Sequence, residues 1–332
     1  MLKIKKFYIL LFIILGLLSA CAPVVKKAPK EAAPKALKVV VQPVEIKKIE
    51  IEVEPPKQQD VLILLSSSVN SYQKIAGHLT TALGEHAVQI ILSGLPAQDR
   101  AVIEDIKASG TQQIVAIGLK AAEAVKEFKD KQIIYTQVIT HNKLNAENIK
   151  GVSSLPSPEK LFSDWKKLSP GLSKVAIVTG NNLDGYLKRA KKAARKQGIE
   201  LIVEKVKTDK GFIYKSKKFK SDVGGQWILP DNRILSGKAL KDVMAYSSRR
   251  GRQIVVFSPK LLSFGGFFYV TPDLELIANG VLQRLVESAG KKDIPGDSVL
   301  PVLSHTMGIN ENIARQLNLT IPREYREYIN EN

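Results

Sequence analysis

VLILLSSSVNSYQKIAGHLTTAL, residues 61–83, carries the clearest structural signal in the sequence. It begins with five consecutive apolar residues, Val61 to Leu65, a run typical of a strand that is buried on both faces of a parallel sheet. From Ser71 to Leu83 the apolar residues recur at helical spacing. A buried strand followed by an amphipathic helix is the repeating unit of α/β proteins, so the segment predicts that fold class.

The same alternation continues along the chain in two series that are separated by a break near residues 153–158. The first series adds predicted strands at 87–92, 113–117 and 132–135 and helices at 97–108 and 121–128. The second has predicted strands at 175–178, 199–203, 227–229 and 253–257 and helices at 159–168, 183–197 and 237–249. Two such series predict two doubly wound parallel-sheet lobes, whose ligands would lie beyond the carboxyl ends of the strands.

Charge and cysteine content narrow the class of protein. The sequence has 50 Lys and Arg against 32 Asp and Glu, a net charge of +18. Such an excess indicates an anionic partner or, more simply, a solvated lysine-rich surface. The single cysteine, Cys21, excludes an intrachain disulfide, a Cys-x-x-Cys redox pair and a thiolate metal cluster.

The first 20 residues have the pattern of a secretory signal peptide. Three lysines at positions 3, 5 and 6 precede an apolar run from Phe7 to Leu18, which is too short for a comfortable transmembrane helix. The following Leu18-Ser19-Ala20-Cys21 resembles the lipobox of bacterial lipoproteins. That resemblance implies cleavage before Cys21 and attachment of acyl chains to this residue, because its thiolate is the nucleophile that forms the thioether. An ordinary signal peptide with a chance cysteine is the alternative.

Residues 21–59 are predicted to tether the body to the membrane. They repeat Ala-Pro and Lys, a composition that keeps a chain extended. The absence of Asp at position 22 favours the outer membrane if the cell is Gram-negative. We therefore expect an envelope protein that faces the periplasm or the outside, and no contact with nucleic acid.

Several short motifs occur in order along the body. Those in the first half are VAIG (115–118), NIKGVS (148–153) and LSPG (168–171), and those in the second half are ILPD (228–231), GG (265–266), PD (272–273), GIN (308–310) and LNLTIP (317–322). Together they resemble the ABC-transporter substrate-binding lipoproteins of the aromatic amino-acid or tryptophan type. The resemblance covers about residues 60–322 and implies the type I periplasmic-binding fold, with two lobes joined by crossing strands. It also implies a small-molecule ligand and an ABC permease as partner.

The resemblance implies that each lobe is discontinuous in sequence. Lobe 1 is expected to comprise residues 60–153 and about 268–292, and lobe 2 to comprise 154–267 and about 298–325. The crossings are expected near Ser153, between Ser258 and Phe267, and between Val302 and Thr306. The sequence departs from the family pattern at Gly118-Leu119-Lys120, at His141-Asn142 and in the lysine-rich segment 205–220, which leaves the identity of the ligand open.

The turns that follow the predicted strands supply the candidate binding groups. Hydroxyl groups after the first strand either cap the next helix or hold a ligand carboxylate with the help of backbone amides. Gly118 permits a close backbone approach. Asp231 either accepts a ligand ammonium group or caps the next element, and Lys120 either favours an anionic ligand or is solvated. The predicted ligand-binding residues are Ser67, Ser68, Asn70, Gly118, Lys120, Thr179, Asn181, Asp231 and Ser258.

The sequence does not predict an enzyme. Ser71-x-x-Lys74 has the spacing of serine–lysine enzymes, but the same spacing recurs at Ser157 and Ser163 in this lysine-rich chain, and no companion motif is present. The four histidines lack the spacing of a metal site, and no phosphate-binding loop occurs. We expect neither a catalytic residue nor a cofactor or metal.

Two functions remain open at this stage. One is a lipid-anchored solute-binding protein that delivers a small polar solute, such as an amino acid, to an ABC permease by hinge closure. The other is an envelope lipoprotein that uses the same two-lobed fold as a scaffold or regulator of an envelope enzyme, because the fold by itself does not fix the function. A basic face formed by Arg189-Ala190-Lys191-Lys192 and Arg195-Lys196 is expected to be solvated or to meet anionic lipid or an acidic partner.

Overall fold

Each of the two series forms its own six-stranded sheet in the computed structural model, which describes residues 61–139, 144, 146–180 and 183–330. The strands in chain order are β1 (Val61–Leu65), β2 (Ala87–Ile91), β3 (Gln113–Ile117), β4 (Gln132–Thr136), β5 (Ile149–Val152), β6 (Lys174–Thr179), β7 (Glu200–Lys205), β8 (Gly225–Trp227), β9 (Gln253–Val256), β10 (Phe268–Pro272), β11 (Val299–Leu300) and β12 (His305–Ile309). The helices are α1 (Asn70–Leu83), α2 (Pro96–Ala108), α3 (Leu119–Val125), α4 (Pro158–Leu168), α5 (Asp184–Lys196), α6 (Asp209–Lys218), α7 (Gly237–Arg249), α8 (Leu274–Ser288) and α9 (Glu311–Gln316).

The two sheets share one strand order. The first sheet, in lobe 1, runs β2-β1-β3-β4-β5-β11, and the second, in lobe 2, runs β7-β6-β8-β9-β10-β12. The strand pairs are parallel, apart from the antiparallel pairing of β10 with β12. The prediction of two doubly wound parallel-sheet lobes is therefore confirmed.

The chain passes between the two sheets at three places in the described residues. It crosses at 153–157 between β5 and α4, at Asp273 between β10 and α8, and at 301–304 between β11 and β12. The structure differs from the expected lobe boundaries in two respects. Strand β10 belongs to the second sheet, so the middle crossing follows it and does not lie within 258–267. Strand β11 pairs with β5, so residues 299–300 belong to lobe 1.

The position of β10 has a physical cause in the core of lobe 2. Phe268, at the start of β10, packs edge-on against Trp165 with ring centroids 5.6 Å apart. Trp165 is fully buried and donates a hydrogen bond from Nε1 to Oε1 of Gln253 at 2.6 Å. Since the aromatic core of lobe 2 requires Phe268, the chain leaves this lobe only after β10.

A buried polar cluster joins α4 to the C-terminal part of lobe 2. Asp164 on α4 accepts hydrogen bonds from the Tyr325 hydroxyl at 2.8 Å and from Lys160 Nζ at 2.9 Å, and its Oδ2 lies 3.0 Å from Nε2 of His305. Burial raises the pKa of the Asp164 carboxyl, but the hydrogen bonds from His305, Lys160 and Tyr325 outweigh this effect and lower that pKa. The cluster fixes β12, which directly follows the third crossing.

Two local differences from the predicted elements are found in lobe 2. The lysine-rich segment 205–220 contains helix α6, which begins at the Thr208 cap, where the side chain accepts a hydrogen bond from the backbone N–H of Gly211. Strand β8 ends at Trp227, although the apolar pattern predicted a strand over 227–229. Within the described residues, no helix is long and apolar enough to cross a membrane.

Candidate functional site

The turns that follow β1 and β3 in lobe 1 pack tightly against each other. The Ser66 hydroxyl accepts a hydrogen bond from the backbone N–H of Ala121 at 2.8 Å and so caps α3. Gly118 has a φ of 93°, and a Cβ placed on it would lie 2.6 Å from Ser66 Oγ. A side chain at position 118 would therefore be strained and would collide with this cap. The closure of this turn is a role for Gly118 that needs no ligand.

The other candidate residues of lobe 1 lie at its surface. Ser68 and Asn70 are exposed and Ser67 is half-buried, while the residue that precedes α1 is Val69, which makes no side-chain cap. Lys120 is exposed on the first turn of α3. The structure thus shows no capping role for these hydroxyl groups, and their role in ligand binding stays a prediction.

Asp231 in lobe 2 already has a cationic partner. Its carboxylate accepts hydrogen bonds from Arg233 Nε at 2.8 Å and Nη2 at 2.7 Å, and from the backbone N–H of Gly180 at 3.1 Å. Burial raises the pKa of the Asp231 carboxyl, but the contacts with Arg233 outweigh it and hold that pKa below its ordinary value. Arg233 thus already pairs with this carboxylate in the structure, and contact of Asp231 with a ligand ammonium group stays a prediction.

Of the remaining predicted ligand-binding residues in lobe 2, the structure describes two. Thr179 is fully buried at the end of β6, and its hydroxyl has no hydrogen-bond partner in the described part of the chain. Ser258 is half-buried and precedes a 3₁₀ turn at Pro259–Phe264. Asn181 lies outside the described residues, as do His141, Asn142 and Cys21.

Replacement of Asp231 with Ala is expected to lower stability by about 2 kcal/mol, because the buried N–H of Gly180 and the Arg233 guanidinium both lose their acceptor. Thermal unfolding of the purified protein measures this change. Asp222→Ala removes an exposed carboxylate that pairs with Lys174 and should barely move the melting temperature. If the two variants melt alike, the bonds of Asp231 do not hold the turn.

An open cavity of about 470 Å³ lies between the two lobes. Lobe 1 contributes residues that follow β4 and β5 and the segment around β11, and lobe 2 contributes the N-terminal half of α5. The lining residues are Val138, Ile139, Ser153, Ser154, Leu155, Leu183, Asp184, Gly185, Tyr186, Arg189, Asp297, Ser298, Val299 and Pro301. The cavity therefore lies beyond the carboxyl ends of β4, β5 and β6, where ligands bind in doubly wound sheets.

Some polar side chains of the cavity wall already have hydrogen-bond partners within the protein, and others do not. Arg189 donates two hydrogen bonds of 2.8 Å to Glu159 and so forms a paired cation on the wall. The Tyr186 hydroxyl donates to the carbonyl oxygen of Pro156 at 2.7 Å, and burial raises the pKa of Tyr186 well above its ordinary value. In contrast, the buried Ser154 hydroxyl has no hydrogen-bond partner in the part of the chain that the structure describes.

A buried arginine of lobe 1 holds one wall of the cavity. The Arg284 guanidinium, on α8, donates hydrogen bonds to the carbonyl oxygens of Pro295 and Asp297. Its side chain is only 2% exposed, so this anchor is shielded from water. The arrangement fixes the turn that presents Asp297 and Ser298 to the cavity.

Among the described residues that were predicted to bind ligand, none lines this cavity. The general rule about strand ends pointed to the edge of each sheet at which the cavity opens, but the chosen residues follow β1, β3, β6, β8 and β9. The lining residues instead follow β4 and β5, lie around β11, or lie in α5 and just before it. A missed signal is Ser153-Ser154, which directly follows the NIKGV strand. The described residues contain no group of three or more His, Cys, Asp or Glu that would hold a metal.

Comparisons with known proteins agree with this architecture. The family model described as ABC transporter substrate binding protein matches residues 93–327. A solved domain from Streptococcus pneumonia, in complex with L-Trp, is 19% identical, with a TM-score of 0.56 over 81% of this chain and 98% of that one. A conserved domain protein from Vibrio cholerae is 17% identical, with a TM-score of 0.57 over 82% and 99% of the two chains.

A ligand-free, open substrate-binding protein with adhesive properties from Clostridium difficile is 15% identical, with a TM-score of 0.60 over 82% of this chain and 98% of that one. At these identities the likeness concerns the fold. The search of curated proteins finds no match.

Proposed function

The chain belongs to the family of ABC transporter substrate-binding proteins, and we propose that it binds a small polar solute in the cavity between its lobes and presents it to an ABC permease. The observation that carries this proposal is the interlobe cavity, because both lobes line it at the carboxyl ends of their strands. Its volume is within the range of small-molecule sites, which is about 300–1,000 Å³. A solute that contacts both lobes stabilises the closed arrangement and so shifts the hinge equilibrium towards it.

The lining residues favour a zwitterionic solute such as an amino acid. Asp297 offers a carboxylate to an ammonium group, and Ser154 offers a hydroxyl group that has no partner among the described residues. The solved relative that binds L-Trp has the same fold. An amino acid is therefore the first class of solute to test.

The N-terminal segment completes the proposal with a membrane anchor. The lipobox-like ending at Cys21 supports lipid attachment, and residues 22–59 provide a tether that keeps the body near the membrane. We place the protein in the cell envelope, facing the periplasm or the outside, and in the outer membrane if the cell is Gram-negative.

A second candidate function, as a scaffold or regulator of an envelope enzyme, is favoured by one feature of the turns. Asp231 and Ser66 are both engaged in bonds within the protein. These two groups already have partners within the protein and need no ligand to satisfy them. A ligand screen separates the two functions.

A thermal-shift screen with amino acids and with sugars, followed by calorimetry of each ligand that stabilises the body, tests the proposal. A solute present at a hundred times its dissociation constant should stabilise the protein by about 2.7 kcal/mol. Gly185→Trp should weaken that solute's binding at least about tenfold, because Gly185 lines the cavity and no atom lies within 4 Å of the added Cβ, so the indole enters the cavity and not the core.

The matched control is Gly77→Trp on α1. Gly77 also has no atom within 4 Å of an added Cβ, and it does not line the cavity. Equal affinity in both variants would contradict the cavity as the binding site. No stabilisation by any compound in the screen would favour the scaffold function.

A further inference from the structure

The positive charge of the chain is concentrated around α5, β7 and α6 of lobe 2. Residues 184–220 contain 13 Lys and Arg and 4 Asp and Glu, a net charge of +9 and half of the +18 of the whole sequence. Several of these charges have partners, including Arg189 with Glu159, Lys215 with Glu204, and Lys205 with Asp184. The cations without such partners are therefore the ones available to an external anionic partner.

Five unpaired cations form a single stripe along α5. The stripe consists of Lys188, Lys191, Lys192, Arg195 and Lys196. All five are exposed, and none of them makes an ion pair with a residue that the structure describes. The opposite side of the helix, with Leu187, Ala190 and Ala194, is buried in the core of lobe 2. The stripe is thus a fixed face on a packed helix and spans about 12 Å.

The spacing of these charges works against the helix itself. Lys188 and Lys192, and likewise Lys192 and Lys196, are four residues apart, and like charges at that spacing destabilise a helix. The adjacent helix α4 does not relieve the repulsion, since Glu159 is held by Arg189 and Asp164 is buried in its own cluster. An external anionic surface would remove this repulsion.

We propose that the α5 stripe binds the anionic phosphate headgroups of a lipid bilayer. The composition of the stripe favours a bilayer over an acidic protein, because protein interfaces are depleted of lysine and depend on buried aromatic anchors, and four of the five positions are Lys. A row of solvated point charges fits a fluid layer of headgroups, which can adjust to it. Binding lays the body of the protein on the membrane with lobe 2 towards it.

The test uses residues 22–332, which keep every residue that the structure describes and lack the predicted lipid attachment site. Partition is measured by cosedimentation with vesicles of equal parts phosphatidylglycerol and phosphatidylcholine, and with vesicles of phosphatidylcholine alone. The protein should bind only the anionic vesicles, and raised salt should weaken binding because it screens exposed charges. Neutralisation of Lys188, Lys191 and Lys192 together by Gln should lower the partition coefficient about 100-fold, since each lysine near the surface contributes about fivefold.

The matched control changes the same net charge on lobe 1. Lys74, Lys107 and Lys292 are exposed there, and their triple replacement by Gln should change partition less than about threefold. Equal losses in both triple variants would overturn the proposal, because net charge and not the stripe would then drive binding. Equal binding to neutral vesicles would also overturn it, and so would failure to bind anionic vesicles at low salt, which would leave an acidic protein as the occupant.

Discussion

Replacement of Cys21 with Ser is expected to abolish lipid attachment and to leave an uncleaved or soluble form. The proposed thioether to diacylglycerol needs a thiolate, which a serine hydroxyl does not supply. Acyl chains contribute about 0.8 kcal/mol for each buried methylene, so several chains make release from the membrane very unfavourable. Detergent phase partition of whole cells measures the change, and mass spectrometry of the N-terminal peptide identifies the attached group.

Ala22→Ser is the matched control for the anchor, because it alters the next residue and keeps Cys21. It should stay in the detergent phase. An unmodified mature N-terminus at any other residue would contradict lipid attachment at Cys21. This result would leave the proposed solute site untouched, since the cavity lies wholly within residues 138–301.

Replacement of Asp164 with Ala is expected to destabilise the protein more than any other single change considered for the folded body. Asp164 accepts hydrogen bonds from Tyr325 and Lys160 and lies 3.0 Å from His305, whose side chain is fully buried. Loss of the carboxylate leaves Tyr325 and His305 without this partner in the core, at a cost of roughly 3 kcal/mol. For a domain of this size that corresponds to a fall in Tm on the order of 5–10 °C.

Asp242→Ala on α7 is the control for this prediction. It removes a carboxylate that pairs with Lys217 at 2.8 Å in a partly exposed setting, and such pairs contribute less than about 1 kcal/mol. Calorimetric unfolding of both variants at neutral pH gives the comparison. A loss in Asp164→Ala no larger than that in Asp242→Ala would show that the buried cluster does not stabilise lobe 2.

The same comparison has a defined dependence on pH. The pKa of Asp164 is lower in the folded protein than in the unfolded chain, so its contribution is fully present above the unfolded pKa. It is lost as the pH falls through the folded pKa, because the carboxyl is then protonated in both states. The difference in stability between the unaltered protein and Asp164→Ala should therefore narrow as the solution is made acidic.

The fold could be predicted because its strands leave a strong local pattern. A strand such as β1 is buried on both faces and therefore consists only of Val, Ile and Leu. The assignment of β10 to lobe 2 was harder to predict. It depends on the contact of Phe268 with Trp165, which lies about 100 positions earlier in the chain. Boundaries that depend on contacts between distant residues leave no periodic signal in the sequence.

The sequence indicated the edge of the sheets at which the cavity opens, but not the residues that line it. Whether a strand-end turn is available to a ligand depends on whether its polar side chains already have hydrogen-bond partners within the protein. The Ser66 hydroxyl already accepts a hydrogen bond from the backbone N–H of Ala121, 55 positions away. The Asp231 carboxylate already accepts hydrogen bonds from Arg233, only two positions away. Neither pairing follows from residue type, since a turn serine or aspartate is equally suited to a ligand.

The three crossings also determine when the protein is able to fold as it is made. Lobe 1 lacks α8 until residue 288 has been synthesised, and it lacks its edge strand until residue 300. Lobe 2 lacks β12, and with it the partner of Asp164, until residue 309. Neither sheet is complete until these residues have been made, so a chain that ends before them has two unfinished sheets with open edges.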